Sequence, residues 1–179
     1  MIFESNSYSL TIIEEQSYTL NSCDNVRSYS KEYVLDPEER ASSIYGINCG
    51  EHSNCVLLAS GGASAITDQS AVIHDSKVWI GIGDQLVCLS LPLLEIMWHQ
   101  KIDDITCFGV YASPDGLGLL VHGELIITKV DFLGELIWST SGKDIFTEGF
   151  TVFEDYVEVI DFNNEKYRIE ISNGKNELV

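Results

Sequence analysis

Positive charge is scarce in this chain. Ten lysines and arginines face 28 aspartates and glutamates in 179 residues, giving a formal net charge of −18 and a pI near 4.3. A field of that sign repels phosphate backbones, so neither nucleic acid nor an anionic membrane surface is expected as a partner. Long apolar runs are missing as well: no segment approaches the roughly 18 consecutive apolar residues of a membrane span. Met1 to Leu10 carries neither positive charge nor an extended apolar core, so no signal peptide is expected there. An even cysteine set is also lacking. Cys23, Cys49, Cys55, Cys88 and Cys107 number five, which fits reduced thiols in a cytoplasm better than a disulfide framework.

Recognised catalytic patterns are absent in the same way. Ser141-Gly142-Lys143-Asp144 has the Gly-Lys pair of a phosphate loop without its upstream glycine. Gly81-Ile82-Gly83-Asp84-Gln85-Leu86 begins like a dinucleotide fingerprint but ends in leucine and opens no helix, so it reads as a hairpin turn. Gly62-Ala63-Ser64-Ala65 is followed by Ile66, which would crowd a nucleophile elbow. Convincing helical periodicity is missing throughout.

What the chain does have is apolar content. Hydrophobic residues make up 45% and charged residues 21%, enough for a sizeable core in one domain spanning residues 1–179. From Cys55 onward, short runs rich in β-branched, aromatic and leucine residues alternate with turn chemistry such as Gly83-Asp84, Ser113-Pro114-Asp115-Gly116 and Asn163-Asn164. Cys88 and Cys107 lie inside such runs, where cysteine acts as a small hydrophobe. Residues 156–161 and 167–171 alternate polar and apolar, which puts one face on a core and the other in water. These features predict an all-β protein.

The runs repeat. A slide of 40 places Val78 to Trp98 on Gly118 to Trp138 without a gap, matching Gly83 with Gly123, Asp84 with Glu124, Glu95 with Glu135 and Trp98 with Trp138. A slide of 30 places Asp131 to Glu135 on Asp161 to Glu165. A unit of three or four strands and about 40 residues cannot bury its apolar face alone, so neighbouring antiparallel meanders should stack. Trp98 and Trp138, at one repeat position, are both expected to be buried between sheets, and Trp79 in the core.

Val130-Asp131-Phe132-Leu133-Gly134-Glu135-Leu136-Ile137-Trp138 resembles the blade signature of quinoprotein-type (PQQ-like) β-propeller repeats, with an Asp ending one strand, a Gly turning and a Trp closing the next. Leu89 to Trp98 is a weaker copy, with Leu91 for the Asp and Leu94 for the Gly; Asp161 to Arg168 keeps only the Asp. The resemblance covers about residues 78–174. It implies stacked antiparallel meanders forming a small, about four-blade, or partial propeller, and no cofactor chemistry is carried over.

The N-terminal half is less explicit. Tyr8 to Glu14 and Gln16 to Leu20 suit a hairpin. Residues 29–54 read as a long connection, with a short helix near 37–43 started by Asp36-Pro37-Glu38-Glu39. Cys49, His52 and Cys55 could share a metal ion, but no second Cys/His pair lies near and Cys55 opens an apolar strand, so no metal is assigned. His122-Gly123-Glu124 puts an imidazole and a carboxylate on one tight turn, suited either to proton transfer or to a plain bond from histidine to a backbone carbonyl. Asp103-Asp104 and Lys143-Asp144 follow the two repeat tryptophans at similar offsets. They are candidates to line one rim, or are simply solvated loop charges. Two functions follow. One is a non-catalytic cytoplasmic interaction module with an acidic surface, whose sharper version is an inhibitor or immunity-type protein for a basic partner. The other is a small-ligand binder or enzyme with a pocket around His122, Glu124 and Asp144.

Overall fold

The computed structural model describes residues 1–5 and 7–179, and among them the chain forms strands, turns and loops with no helix. Four sheets follow one another along the sequence. The first contains β1 (Ile2–Glu4), β2 (Ser9–Glu14), β3 (Glu32–Val34), β4 (Ser43–Cys49) and β5 (Ser53–Ala59), in the spatial order β1-β2-β4-β5-β3. The other three are four-stranded antiparallel meanders. They are β6 (Ala71–His74) to β9 (Ile96–Lys101) through β7 (Lys77–Ile82) and β8 (Gln85–Ser90); β10 (Cys107–Ala112) to β13 (Leu136–Ser141) through β11 (Leu119–Gly123) and β12 (Ile126–Val130); and β14 (Gly149–Val152) to β17 (Asn176–Leu178) through β15 (Tyr156–Ile160) and β16 (Lys166–Glu170). This is a β-propeller-type fold of four blades.

The 40-residue period is the blade period, and it runs through three sheets: β7, β11 and β15 are equivalent, as are β9, β13 and β17. The 30-residue slide is corrected. It superposes the β12–β13 turn on the β15–β16 turn, which occupies a different place in its blade. The two turns match because their chemistry is the same. Asp131 Oδ1 accepts from the amides of Leu133 and Glu135, and Asp161 Oδ1 from those of Asn163 and Glu165. The fourth residue of each, Gly134 or Asn164, has positive φ.

Each pair of neighbouring sheets encloses a core. Ile47, Leu57, Ile80 and Val87 are buried between sheets one and two; Trp79, Cys88, Val110 and Val121 between two and three; Leu120, Ile127, Val157 and Ile169 between three and four. The middle sheets are covered on both faces, which is why β7, β8, β11 and β12 are nearly continuous apolar runs. The fourth sheet packs on one face only, and there residues 156–161 and 167–171 alternate as read. Its other face is polar: Glu158 pairs with Lys166 at 2.9 Å, and the Arg168 guanidinium lies 3.9 Å from the Tyr156 ring centroid.

The two repeat tryptophans occupy equivalent sites. Each lies against the glycine in the last turn of the following blade, Trp98 against Gly134 and Trp138 against Gly174. The expected burial holds for Trp138 but is corrected for Trp98, which is only half-buried. Trp138 Nε1 also donates to the Ile171 carbonyl at 2.8 Å.

The N-terminal expectations need correction. β2 pairs with β1 and β4 rather than with residues 16–20. The proposed connection 29–54 contains β3 and all of β4, because Ile44, Tyr45 and Ile47 supply apolar side chains to both faces of the sheet. No helix forms near 37–43. Asp36 Oδ1 takes the Glu38 amide in a local turn, and the segment after it has no apolar stripe to hold a helix down. Residues 15–42 instead fold over the outer face of the first sheet, where Tyr18, Leu20, Tyr29 and Ala41 cover Val56 and Leu58. The Tyr29 hydroxyl and Arg27 both reach the buried Glu15, at 2.5 and 3.3 Å. Among the described residues no hydrogen bond, ion pair or shared core cluster joins the first sheet to the fourth.

Candidate functional site

The six residues singled out from sequence gather on one rim, in the turns and links at the β11–β12 end of the blades. Asp103 and Asp104 lie in the β9–β10 link, Lys143 and Asp144 in the β13–β14 link, Glu124 in the β11–β12 turn, and His122 near the end of β11. The structure brings them to one side of the molecule without joining them into a catalytic group. No hydrogen bond among the described residues links His122, Glu124 and Asp144.

Most of these polar groups fasten blades together. Asp103 is buried, and its carboxylate accepts three backbone N–H bonds: Ile105 at 2.8 Å, Leu125 at 2.9 Å and Ile126 at 3.1 Å. The last two belong to the next blade. Gly123 leaves the room this needs, since a Cβ there would run into the Asp103 carboxylate. Asp144 repeats the device one blade on, accepting from the Ile145 amide at 2.8 Å and from Asn163 Nδ2 at 2.5 Å. Lys143 offers its amide to the Tyr167 hydroxyl and its ammonium to Glu165 at 3.0 Å. Asp104 is exposed and pairs with Lys101 at 3.4 Å. Glu124 acts through its backbone, with its amide on Thr106 O and its carbonyl on the Phe146 amide.

His122 is different. It lies on the face of β11 turned to the fourth blade, and its Nε2 is 3.0 Å from the Phe146 carbonyl. The carbonyl can only accept, so Nε2 carries the hydrogen and neutral Nδ1 keeps its lone pair. The ring stacks on Phe150 at 4.6 Å and 14°, and meets Phe108 edge-on at 5.3 Å. Tyr111 lies 4.7 Å from Phe150. Phe108 and Tyr111 are three residues apart and would face opposite ways in a regular strand. A bulge between Cys107 and Gly109 brings both to one side. Together with Thr67 and Glu148 these rings line a cleft of about 340 Å³ between β10 and β14, the first strands of their blades. The sequence reading missed Phe108 and Tyr111, because a bulge leaves no spacing signal, and Glu148 and Phe150, which come from the next blade.

Burial pushes the His122 pKa down to about 4, with the Phe146 carbonyl opposing the shift only in part. The folded value therefore lies below the unfolded one of about 6.5, so the unfolded chain takes up this proton first as pH falls. The stability held by neutral His122 is complete above about pH 6.5 and is lost as pH falls toward 4. An NMR titration of the imidazole is expected to show a midpoint near 4. A midpoint above about 6 would mean a solvated ring with the free value.

Cys49, His52 and Cys55 do not converge on one point in water. Cys49 and Cys55 are buried in the first core while His52 is exposed, and burial raises the Cys55 pKa to about 12.

No protein-family model matches the chain, and no curated protein matches it. Among solved structures it is similar to BamB from Moraxella catarrhalis, with 12% identity and a TM-score of 0.57 over 99% of this chain and 60% of that one. It is also similar to the β-propeller domain of Cps50 (Swd1) from Myceliophteria thermophila, with 16% identity and a TM-score of 0.48 over 76% and 55% of the two chains. This chain thus spans about 60% of the BamB chain, and the likeness shows the propeller-type fold alone.

Proposed function

We propose that this protein is a non-catalytic interaction module whose partner is a basic protein. One observation carries the reading: the carboxylate surplus lies outside the core. Only Glu15, Asp84, Asp103 and Asp161 are buried among 28 acidic residues, which leaves 24 at least partly exposed. Of the ten basic residues, Arg27, Lys31, Lys101, Lys129, Lys143, Lys166 and Lys175 are already held in ion pairs within the chain. Little positive charge is left to offset the surface field, and a partner with basic side chains can supply what is missing. A sharper version is an inhibitor or immunity-type protein whose carboxylates cover a basic active site. Five free cysteines, four of them buried, suit a reducing compartment, and the reading places the protein in the cytoplasm.

The alternative, a small-ligand binder or enzyme with a rim pocket around His122, Glu124 and Asp144, has less support. His122 is committed to a backbone carbonyl and Asp144 to Ile145 and Asn163.

The test is kinetic. The association rate with an isolated partner is expected to fall steeply as salt rises to physiological strength, where the screening length is about 8 Å. A flat rate at undiminished affinity would show that apolar contacts carry recognition and that the charge serves solubility alone.

A further inference from the structure

The cleft between β10 and β14 has a composition that the acidic surface alone does not explain. Phe108, Tyr111, His122 and Phe150 supply four rings to it. Aromatic faces carry negative charge density and attract cations, most strongly where water is partly excluded. No lysine or arginine lines the cleft, while the exposed carboxylate of Glu148 lies on its edge. His122 adds an acceptor: its Nε2 is spent on Phe146, and Nδ1 has no hydrogen-bond partner among the described residues. An anion would therefore meet ring faces, a lone pair and a carboxylate, all of the wrong sign. A neutral apolar group would strand that lone pair. A space of about 340 Å³ is also at the small end for a drug-sized ligand and suits one long side chain.

We infer that this cleft is the socket for an arginine side chain presented by the basic partner. The guanidinium is planar and weakly hydrated, and it both stacks on rings and donates in its own plane. Its two faces suit the ring surfaces that the cleft leaves uncovered, an in-plane N–H suits His122 Nδ1, and Glu148 balances the charge. The inference rests on the interaction-module reading and gives it a point of contact. Lysine, with a compact and strongly hydrated ammonium, uses the ring faces less well.

The neutral His122 imidazole is a requirement of this arrangement, because a protonated ring would repel the guanidinium. Burial keeps it neutral at pH 7. Glu148 and the hydroxyl of Tyr111 are the other titratable groups facing the cleft, together with the buried Cys107 thiol.

The test uses three capped tripeptides, Gly-Arg-Gly, Gly-Lys-Gly and Gly-citrulline-Gly, titrated into the whole protein and followed by NMR. Citrulline keeps the shape of arginine and removes its charge. The arginine peptide is expected to shift the signals of Phe108, Tyr111, His122 and Phe150 and to bind about ten-fold more tightly than the citrulline peptide. Glu148→Gln, at an exposed site that leaves folding intact, is expected to weaken it about three-fold, and Phe150→Leu to remove the cleft shifts. Equal binding of citrulline, equal binding of lysine, or the absence of any cleft shift overturns the inference. Shifts confined to acidic loops overturn the socket while leaving the acidic-surface reading standing. A salt-insensitive association rate with a partner overturns that reading independently.

Discussion

Trp138→Ala is expected to lower the unfolding free energy by about 3–5 kcal/mol, the range for removing a buried aromatic that its surroundings cannot refill. The indole is 8% exposed and seals the junction of the third and fourth blades. Relaxation is restricted on one side by Gly174, whose backbone already lies against the ring at positive φ. Its Nε1–H and the ammonium of buried Lys129 share the Ile171 carbonyl, so truncation also takes a donor from that acceptor. Trp138→Phe keeps most of the packing and loses the hydrogen bond, and about 1–2 kcal/mol is expected for it. Urea titration of both variants checks the pair. A loss under about 1 kcal/mol for the alanine variant would mean the ring is not part of an inter-blade core.

Asp103→Ala is expected to cost about 3–4 kcal/mol, which for a loop residue is large. It strips a charged acceptor from three amides at once, two of them in the neighbouring blade, where water cannot fully replace it. Asp103→Asn should recover only part of that, because the amide nitrogen it introduces must face at least one N–H. Hydrogen exchange gives the residue-level check: the Leu125 and Ile126 amides should lose protection before the rest of β12 does. If Asp103→Ala stays within about 0.5 kcal/mol of the parent in stability but fails to bind a partner, the carboxylate is a recognition group and not a fastener.

The contrast between these two residues shows how far sequence carries. Trp138 was identifiable from its 40-residue spacing, because a tryptophan recurring at one place in a repeat has a packing role that follows from the repeat itself. Asp103 was identifiable only as a charged loop residue near a rim. Its two cross-blade partners lie in a turn more than twenty residues away, and a pattern of residue types does not contain that distance. The same holds for the 30-residue slide, where two Asp-capped turns look alike although they occupy different places in their blades. A local hydrogen-bond pattern repeats wherever its residues repeat, whatever strands it connects.

The N-terminal blade marks another boundary. Asp36-Pro37 is a sound helix-start signal, and the chain still forms a turn, because a helix without an apolar face gains too little from packing to offset its nucleation cost. β3 joins β5 in parallel, through pairs such as Tyr33 with Leu57, after a long loop. Such long-range pairing depends on the finished sheet being there to receive it.

Strand content, the blade period and one-sided burial of the last sheet were written in the order of residues, since alternation with period two and recurrence with period 40 are properties of the chain alone. The cleft was not. Phe108 and Tyr111 reach the same side only through a bulge, and Phe150 arrives from the next blade. His122 had its pKa driven well below the free value only when that blade closed over it and took it out of water. Periodicity tells which faces are apolar, while the meeting of particular side chains across two blades depends on how those faces are laid together.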